Sequence, residues 1–183
     1  YTDHIVPAGR LREPRAGAHR ADAIIISKCP KGLIREEREA VAQEAAVYAP
    51  GVPVYFTEIT YEDPVRILGN ENKPSRVILV TGIANPAPLV DHLSEKVEML
   101  EHLVFPDHHT FSDSDIRLII KKLKESGAAL LTTEKDLMRL MEPGTWEHFS
   151  DSTVFYVPIR VRFLHGEEKF KSQLLNVVEA KCS

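Results

Sequence analysis

Asp107, His108 and His109 stand in a row between Phe105-Pro106 and Thr110-Phe111-Ser112, which places one acid and two imidazoles in a turn that leads into a helix. Proton transfer is the chemistry this set can do. An Asp beside a His can hold the imidazole in one tautomer and raise its basicity. A loop between strand and helix presents both groups at the rim of an α/β sheet. An isolated Asp-His pair in a loop is more often solvated surface, so the segments that accompany it decide its meaning. Leu11-Arg12-Glu13-Pro14 follows Pro7-Ala8-Gly9-Arg10, Thr81-Gly82-Ile83-Ala84-Asn85-Pro86 comes next, and Thr132-Thr133-Glu134-Lys135-Asp136 closes the series.

These segments need elements to position them. Ala23-Ile24-Ile25-Ile26-Ser27 is a β-branched apolar run that reads as a central strand, and 33–48 has a helical pattern ended by Pro50-Gly51. Val54-Tyr55-Phe56-Thr57 reads as a second strand. Asp63-Pro64, Gly69-Asn70 and Lys73-Pro74 predict an irregular connection over 61–74. A third strand starts at Arg76. Asn85 then caps a helix that carries Pro86 at its first position and ends near Lys96. Glu98 to Val104 forms a strand, with Glu98 and Glu101 pointing to exposure on one side.

Ser112 and Asp115 have capping-box spacing, and Ile116, Ile119, Ile120 and Leu123 supply the apolar face of the helix they start, which Gly127 closes. Residues 128–132 form a buried strand, and Thr133 caps a short helix over 134–141 that ends at Pro143-Gly144. Lys135 and Asp136 would satisfy that helix, Asp136 as its capping acid. Residues 154–164 alternate as one longer strand. In the tail, Phe170, Leu174, Leu175 and Val178 share a helical face that must dock on something. The repeated strand-helix order predicts an α/β fold, a three-layer α/β/α sandwich with a five- to six-stranded, largely parallel sheet. Ligands of such sheets bind beyond the carboxyl ends of the strands. The loops at 57–59, 81–85, 107–109 and 133–136 all follow predicted strands, on that one edge.

Composition excludes several classes of function. With 43% hydrophobic and 27% charged residues in 183, the chain suits an ordinary globular domain with its own core. No apolar run reaches the roughly 20 residues of a spanning helix, and no signal-peptide pattern opens the chain. Cys29 and Cys182 are far apart and read as free thiols. His4, His19, His92, His102, His148 and His165 lack ligand-like spacing, so no metal site is expected. The net charge of −4 hides a basic beginning: residues 1–35 hold seven Lys or Arg against three acids. Arg10, Arg12, Arg15 and Arg20 suit phosphate groups on a nucleotide or a lipid headgroup, or form a solvated linker. The cluster lacks interleaved aromatics, which argues against nucleic acid.

In this order the PAGxLREP, GIANP, FPDHHxFS and TTEKD segments, spanning Pro7 to Asp136, resemble the second half of the tetraacyldisaccharide 4'-kinases. The resemblance implies an ATP-dependent kinase of lipid A synthesis that phosphorylates the 4'-hydroxyl of a tetraacylated glucosamine disaccharide 1-phosphate. It also implies Mg2+ with the ATP, and peripheral contact with the cytoplasmic face of a bacterial inner membrane. His108, beside Asp107, matches the family's His that pairs with a catalytic Asp of the amino-terminal half and helps it accept the hydroxyl proton. Arg12 and Glu13 match the Arg-Glu of the linker near the nucleotide. The backbone at Gly82, Ile83 and Ala84, with Glu58 and Ile59, is expected to contact adenine. His109 is expected to be a partly buried neighbour without a chemical task.

One family feature is missing. No G-x-x-x-x-G-K-[ST] phosphate loop occurs in the 183 residues, and the first residue is Tyr1. The chain therefore reads as a carboxyl-terminal portion, with 1–15 as a linker to an amino-terminal P-loop domain, 16–165 as an α/β domain and 166–183 as a docking helix. By itself it is expected to be inactive. The alternative is a stand-alone α/β nucleotide-binding or interaction domain without kinase activity.

Overall fold

The computed structural model describes residues 11–182, with side chains as far as Glu179. Segment 7–10 of the first motif and the Cys182 thiol lie outside the described residues. In chain order the elements are β1 (Ile24–Ile26), α1 (Arg35–Tyr48), β2 (Val54–Tyr61), β3 (Val65–Leu68), β4 (Arg76–Thr81), α2 (Ala87–Leu93) and β5 (Glu98–Val104). Then follow α3 (Asp113–Ser126), β6 (Ala129–Thr133), α4 (Glu134–Leu140), β7 (Val154–Val157), β8 (Ile159–Phe163) and α5 (Glu167–Cys182). Two compact units result. One takes the chain up to Thr60 and from Val161 onward, and the other is Tyr61–Arg160.

The Tyr61–Arg160 unit is built on a five-stranded sheet of order β3-β7-β6-β4-β5. All neighbours are parallel except β3, which runs antiparallel to β7. Val77, Ile78, Leu79 and Val80 of β4 are fully buried because both faces of the sheet are covered. On one face Val77, Leu79, Leu131 and Phe155 pack against Leu89 and Leu93 of α2. On the other, Ile78, Val80 and Leu130 pack against Ile116, Ile119 and Leu123 of α3 and Leu137 and Leu140 of α4. This is the predicted three-layer sandwich with five largely parallel strands. The predicted cap of α3 is also present: Ser112 Oγ accepts from Asp115 N at 3.3 Å, and Asp115 Oδ2 accepts from Ser112 N at 2.8 Å.

The second unit holds a separate three-stranded sheet of order β1-β2-β8, in which β1 and β2 are parallel. Its α5 docks through Phe170, whose ring lies 5.1 Å from those of Tyr55 and Phe163, and through Gln173, which accepts from the Tyr55 hydroxyl at 2.9 Å. Leu174, Leu175 and Val178, expected on the docking face, are exposed. Cys29 is a buried free thiol.

Four local expectations need correction. Ile24–Ile26 is an edge strand with Ile25 46% exposed, not a central one, because β1 pairs only with β2 among the described residues. β2 runs on to Tyr61, so Glu58 and Ile59 lie within a strand. The 61–74 connection contains β3, a strand of four residues. There Gly69, at φ +88°, lies so close to Thr153 that a Cβ would sit 2.4 Å from its Oγ1. The predicted strand over 154–164 is two strands. Pro158, which has no N–H, ends β7 and lets β8 join the smaller sheet.

Candidate active site

β4 leads to α2 on one face of the sheet, whereas β6, its neighbour, leads to α4 on the other. Loops that leave adjacent strands toward opposite faces open a crevice beyond the carboxyl ends. Three of the four motif loops meet there: Gly82–Pro86 after β4, 105–112 after β5, and the start of α4 after β6.

Asp136 joins two of them. It is 0% exposed, and its Oδ2 accepts from Gly82 N at 2.8 Å and from the Thr133 hydroxyl at 2.7 Å. Oδ1 faces Arg139 Nη1 at 3.0 Å. Thr133 caps α4 as predicted, accepting from Asp136 N at 3.1 Å. The acid, however, bonds to the loop after β4 instead of the cap's own backbone. Gly82 is required by this approach, since a Cβ there would lie 3.0 Å from Asp136 Oδ1 and 3.3 Å from the Pro106 carbonyl.

The Asp107-His108 turn stands over this pair. His108 adopts φ 61°, in the left-handed region that costs a non-glycine residue roughly 1–2 kcal/mol. Its side chain is 75% exposed. Asp107 Oδ1 accepts from His108 N at 3.0 Å and from Lys135 Nζ at 2.8 Å. The hydrogen bond from Lys135 holds the Asp107 carboxyl below its ordinary pKa, against the opposing effect of burial. The predicted Asp107 contact to the imidazole is long, with Oδ2 3.8 Å from Nε2. Other groups lie closer to the ring: Arg139 Nη2 is 3.3 Å from Nδ1, and Lys135 Nζ is 3.5 Å from Nε2.

His109 is packed as expected of a partly buried neighbour. It stacks on Phe105 at 4.8 Å, meets Phe111 edge-on at 5.3 Å, and places Nε2 2.9 Å from Asp115 Oδ2. Burial of Asp115 opposes its ionisation, but the hydrogen bonds from Ser112 and His109 outweigh it, so its pKa lies below the ordinary 3.8. A depressed carboxyl stabilises the fold above its unfolded pKa, and that stability is lost as pH falls through the folded value. Asp115→Asn should therefore be less stable than the parent at pH 7, with the gap closing as denaturant melts are repeated below about pH 4. A gap independent of pH would assign the loss to packing.

Four of the remaining predicted residues, Arg12, Glu13, Glu58 and Ile59, lie in the other unit. Arg12 is exposed, with no partner among the described residues. Glu13 is held by Arg20 Nη2 at 2.6 Å. Glu58, only 6% exposed, accepts from Arg162 Nε at 2.9 Å, and Ile59 lies beside it in β2. In the crevice the Gly82 N–H is engaged by Asp136, while Ile83 is half-buried and Ala84 exposed. Sequence reasoning missed Arg139 and gave Asp136 only a capping task. The i,i+3 spacing of the two on a short helix was the available signal. Among the described residues no group of three or more His, Cys, Asp or Glu could hold a metal ion. None of the described helices is long and apolar enough to cross a membrane.

Fold and site define an α/β protein whose polar groups gather beyond the carboxyl ends of parallel strands, the place where such proteins hold ligands. Residues 1–179 match the family model for LpxK, tetraacyldisaccharide-1-P 4'-kinase, and the chain belongs to that family. It is 36% identical over 188 residues to the tetraacyldisaccharide 4'-kinase of Phocaeicola vulgatus, an alignment covering 96% of this chain and 51% of the relative. The corresponding enzyme of Flavobacterium psychrophilum is 35% identical over 187 residues, covering 99% and 52%. The chain thus spans about half the length of the curated relatives it matches. The crystal structure of LpxK from Aquifex aeolicus in complex with ATP shares the fold, with a TM-score of 0.60 at 24% identity, over 96% of this chain and 48% of that one.

Proposed function

We propose that this chain is the carboxyl-terminal half of an ATP-dependent kinase that transfers a phosphoryl group to the 4'-hydroxyl of a tetraacylated glucosamine disaccharide 1-phosphate in lipid A synthesis. The observation that carries the reading is the exposed His108, held in a strained turn at the carboxyl edge of the sheet, on a chain that matches the family model almost throughout. Backbone strain of this kind persists where the surrounding structure enforces it, and it clusters at functional sites.

Phosphoryl transfer needs a positioned base and electrostatic help more than a covalent nucleophile. In this reading His108 pairs with a carboxylate of the amino-terminal half and helps it take the hydroxyl proton, while Asp107 and Lys135 hold the turn. Arg12 and Glu13 act on the nucleotide from the linker. Asp107 and Asp136 do not fit Mg2+: Asp107 is bound by Lys135, and Asp136 is enclosed by Gly82, Thr133 and Arg139. The metal that accompanies ATP belongs on the amino-terminal half, with the phosphate loop. The lipid substrate places the complete enzyme in peripheral contact with the cytoplasmic face of the inner membrane.

Phosphate transfer from ATP to the disaccharide 1-phosphate tests the reading. The complete protein should show turnover, and the 183-residue chain alone should melt cooperatively yet give none above background. No transfer by the complete protein overturns the proposal, and turnover by the isolated chain overturns its division of labour.

A further inference from the structure

We infer that Arg139, anchored by the buried Asp136, is a positioning residue that sets the tautomer and orientation of His108; the inference rests on the role of His108 proposed above. Asp136 is the only wholly buried carboxylate among the described residues. Its acceptor sites are divided between holding the β4 loop, through Gly82 N, and holding Arg139 Nη1. A guanidinium is a rigid planar fork. With Nη1 fixed on Asp136, and reaching the Gly82 carbonyl at 3.5 Å, the direction of Nη2 is fixed as well, and Nη2 lies 3.3 Å from His108 Nδ1.

A guanidinium can only donate, so Nδ1 must present its lone pair and the neutral ring carries its proton on Nε2. Nothing else among the described residues holds the Nδ1 side of this exposed ring. Lys135 lies on the other side, at the outer limit of hydrogen bonding, and its ammonium is already bound to Asp107 at 2.8 Å. The chain of contacts from Gly82 through Asp136 and Arg139 to His108 therefore links the TTEKD helix to the imidazole. It leaves Nε2, with Lys135 Nζ at 3.5 Å and Asp107 Oδ2 at 3.8 Å, as the ring nitrogen that carries the proton.

The test uses Arg139→Gln and Arg139→Lys in the complete enzyme. A lysine keeps the charge beside Asp136 and hence the fold, but a single ammonium cannot reproduce the fork that spans carboxylate and imidazole. Both variants should lose about 10–100-fold in turnover, with the Michaelis constants for ATP and lipid within about twofold of the parent. In a His108→Ala background, Arg139→Gln should have no further effect, because the two residues act as one unit. In the 183-residue chain, the imidazole 15N resonances of His108 should move in both variants while those of His148 stay. Parental turnover in Arg139→Lys, unchanged His108 resonances, or multiplicative losses in the double variant would overturn the inference. Full turnover in His108→Ala alone would instead overturn the reading of the site, and the resonance shift would still decide whether Arg139 orients the ring.

Discussion

Replacing His108 by Ala in the complete enzyme should lower the turnover number by roughly 10²–10⁴-fold, the usual span for losing general acid-base assistance, with little change in either Michaelis constant. Stability should change by less than about 1 kcal/mol, because the side chain is 75% exposed. His108→Gly separates chemistry from backbone. Glycine relieves the left-handed strain at φ 61° but adds freedom to the unfolded chain, and these effects nearly cancel, so its melt should resemble the parent's while its turnover falls as in the Ala variant. Normal turnover in both variants would remove His108 from the chemistry. A collapsed thermal midpoint in both would show a structural histidine.

The largest loss of stability is expected at Asp136. Asp136→Ala removes the acceptor of the Gly82 N–H and the Thr133 hydroxyl and leaves Arg139, whose side chain is only 20% exposed, without its counter-charge. Breaking a buried pair from one side costs about 3–5 kcal/mol, a large part of the 5–15 kcal/mol that holds a typical domain together. Asp136→Asn keeps the shape and one acceptor oxygen, so its cost should be roughly 1–3 kcal/mol. Urea midpoints of the 183-residue chain would measure both. A loss below about 1 kcal/mol in the Ala variant would mean that the loop after β4 holds its place without the carboxylate.

Much of this architecture was legible in the residues. The strand that starts at Arg76 was read as one, and the spacing of Ser112, Asp115, Ile116, Ile119 and Leu123 set both the start and the buried face of α3. The motif loops were placed at strand ends, and three of them do share one edge of one sheet. Misreadings came where a short segment owes its state to a distant partner. β3 is a strand because β7 offers it an antiparallel edge, and residues 154–164 divide at Pro158 because the two halves find different sheets.

The sequence by itself determined most of the element types, the α/β class, the motif loops and the family resemblance, because caps, breakers and hydrophobic periods act over a few residues along the chain. Only the tertiary structure decided which of those loops meet. Gly82 and Asp136 are 54 residues apart in sequence, and His108 and Arg139 are 31 apart. They are brought together by the order β6-β4-β5, which puts β4 between two strands that follow it in the chain. A buried carboxylate must find donors wherever the strand order supplies them, and that is why Asp136, read locally as a capping acid, holds the β4 loop and Arg139 instead.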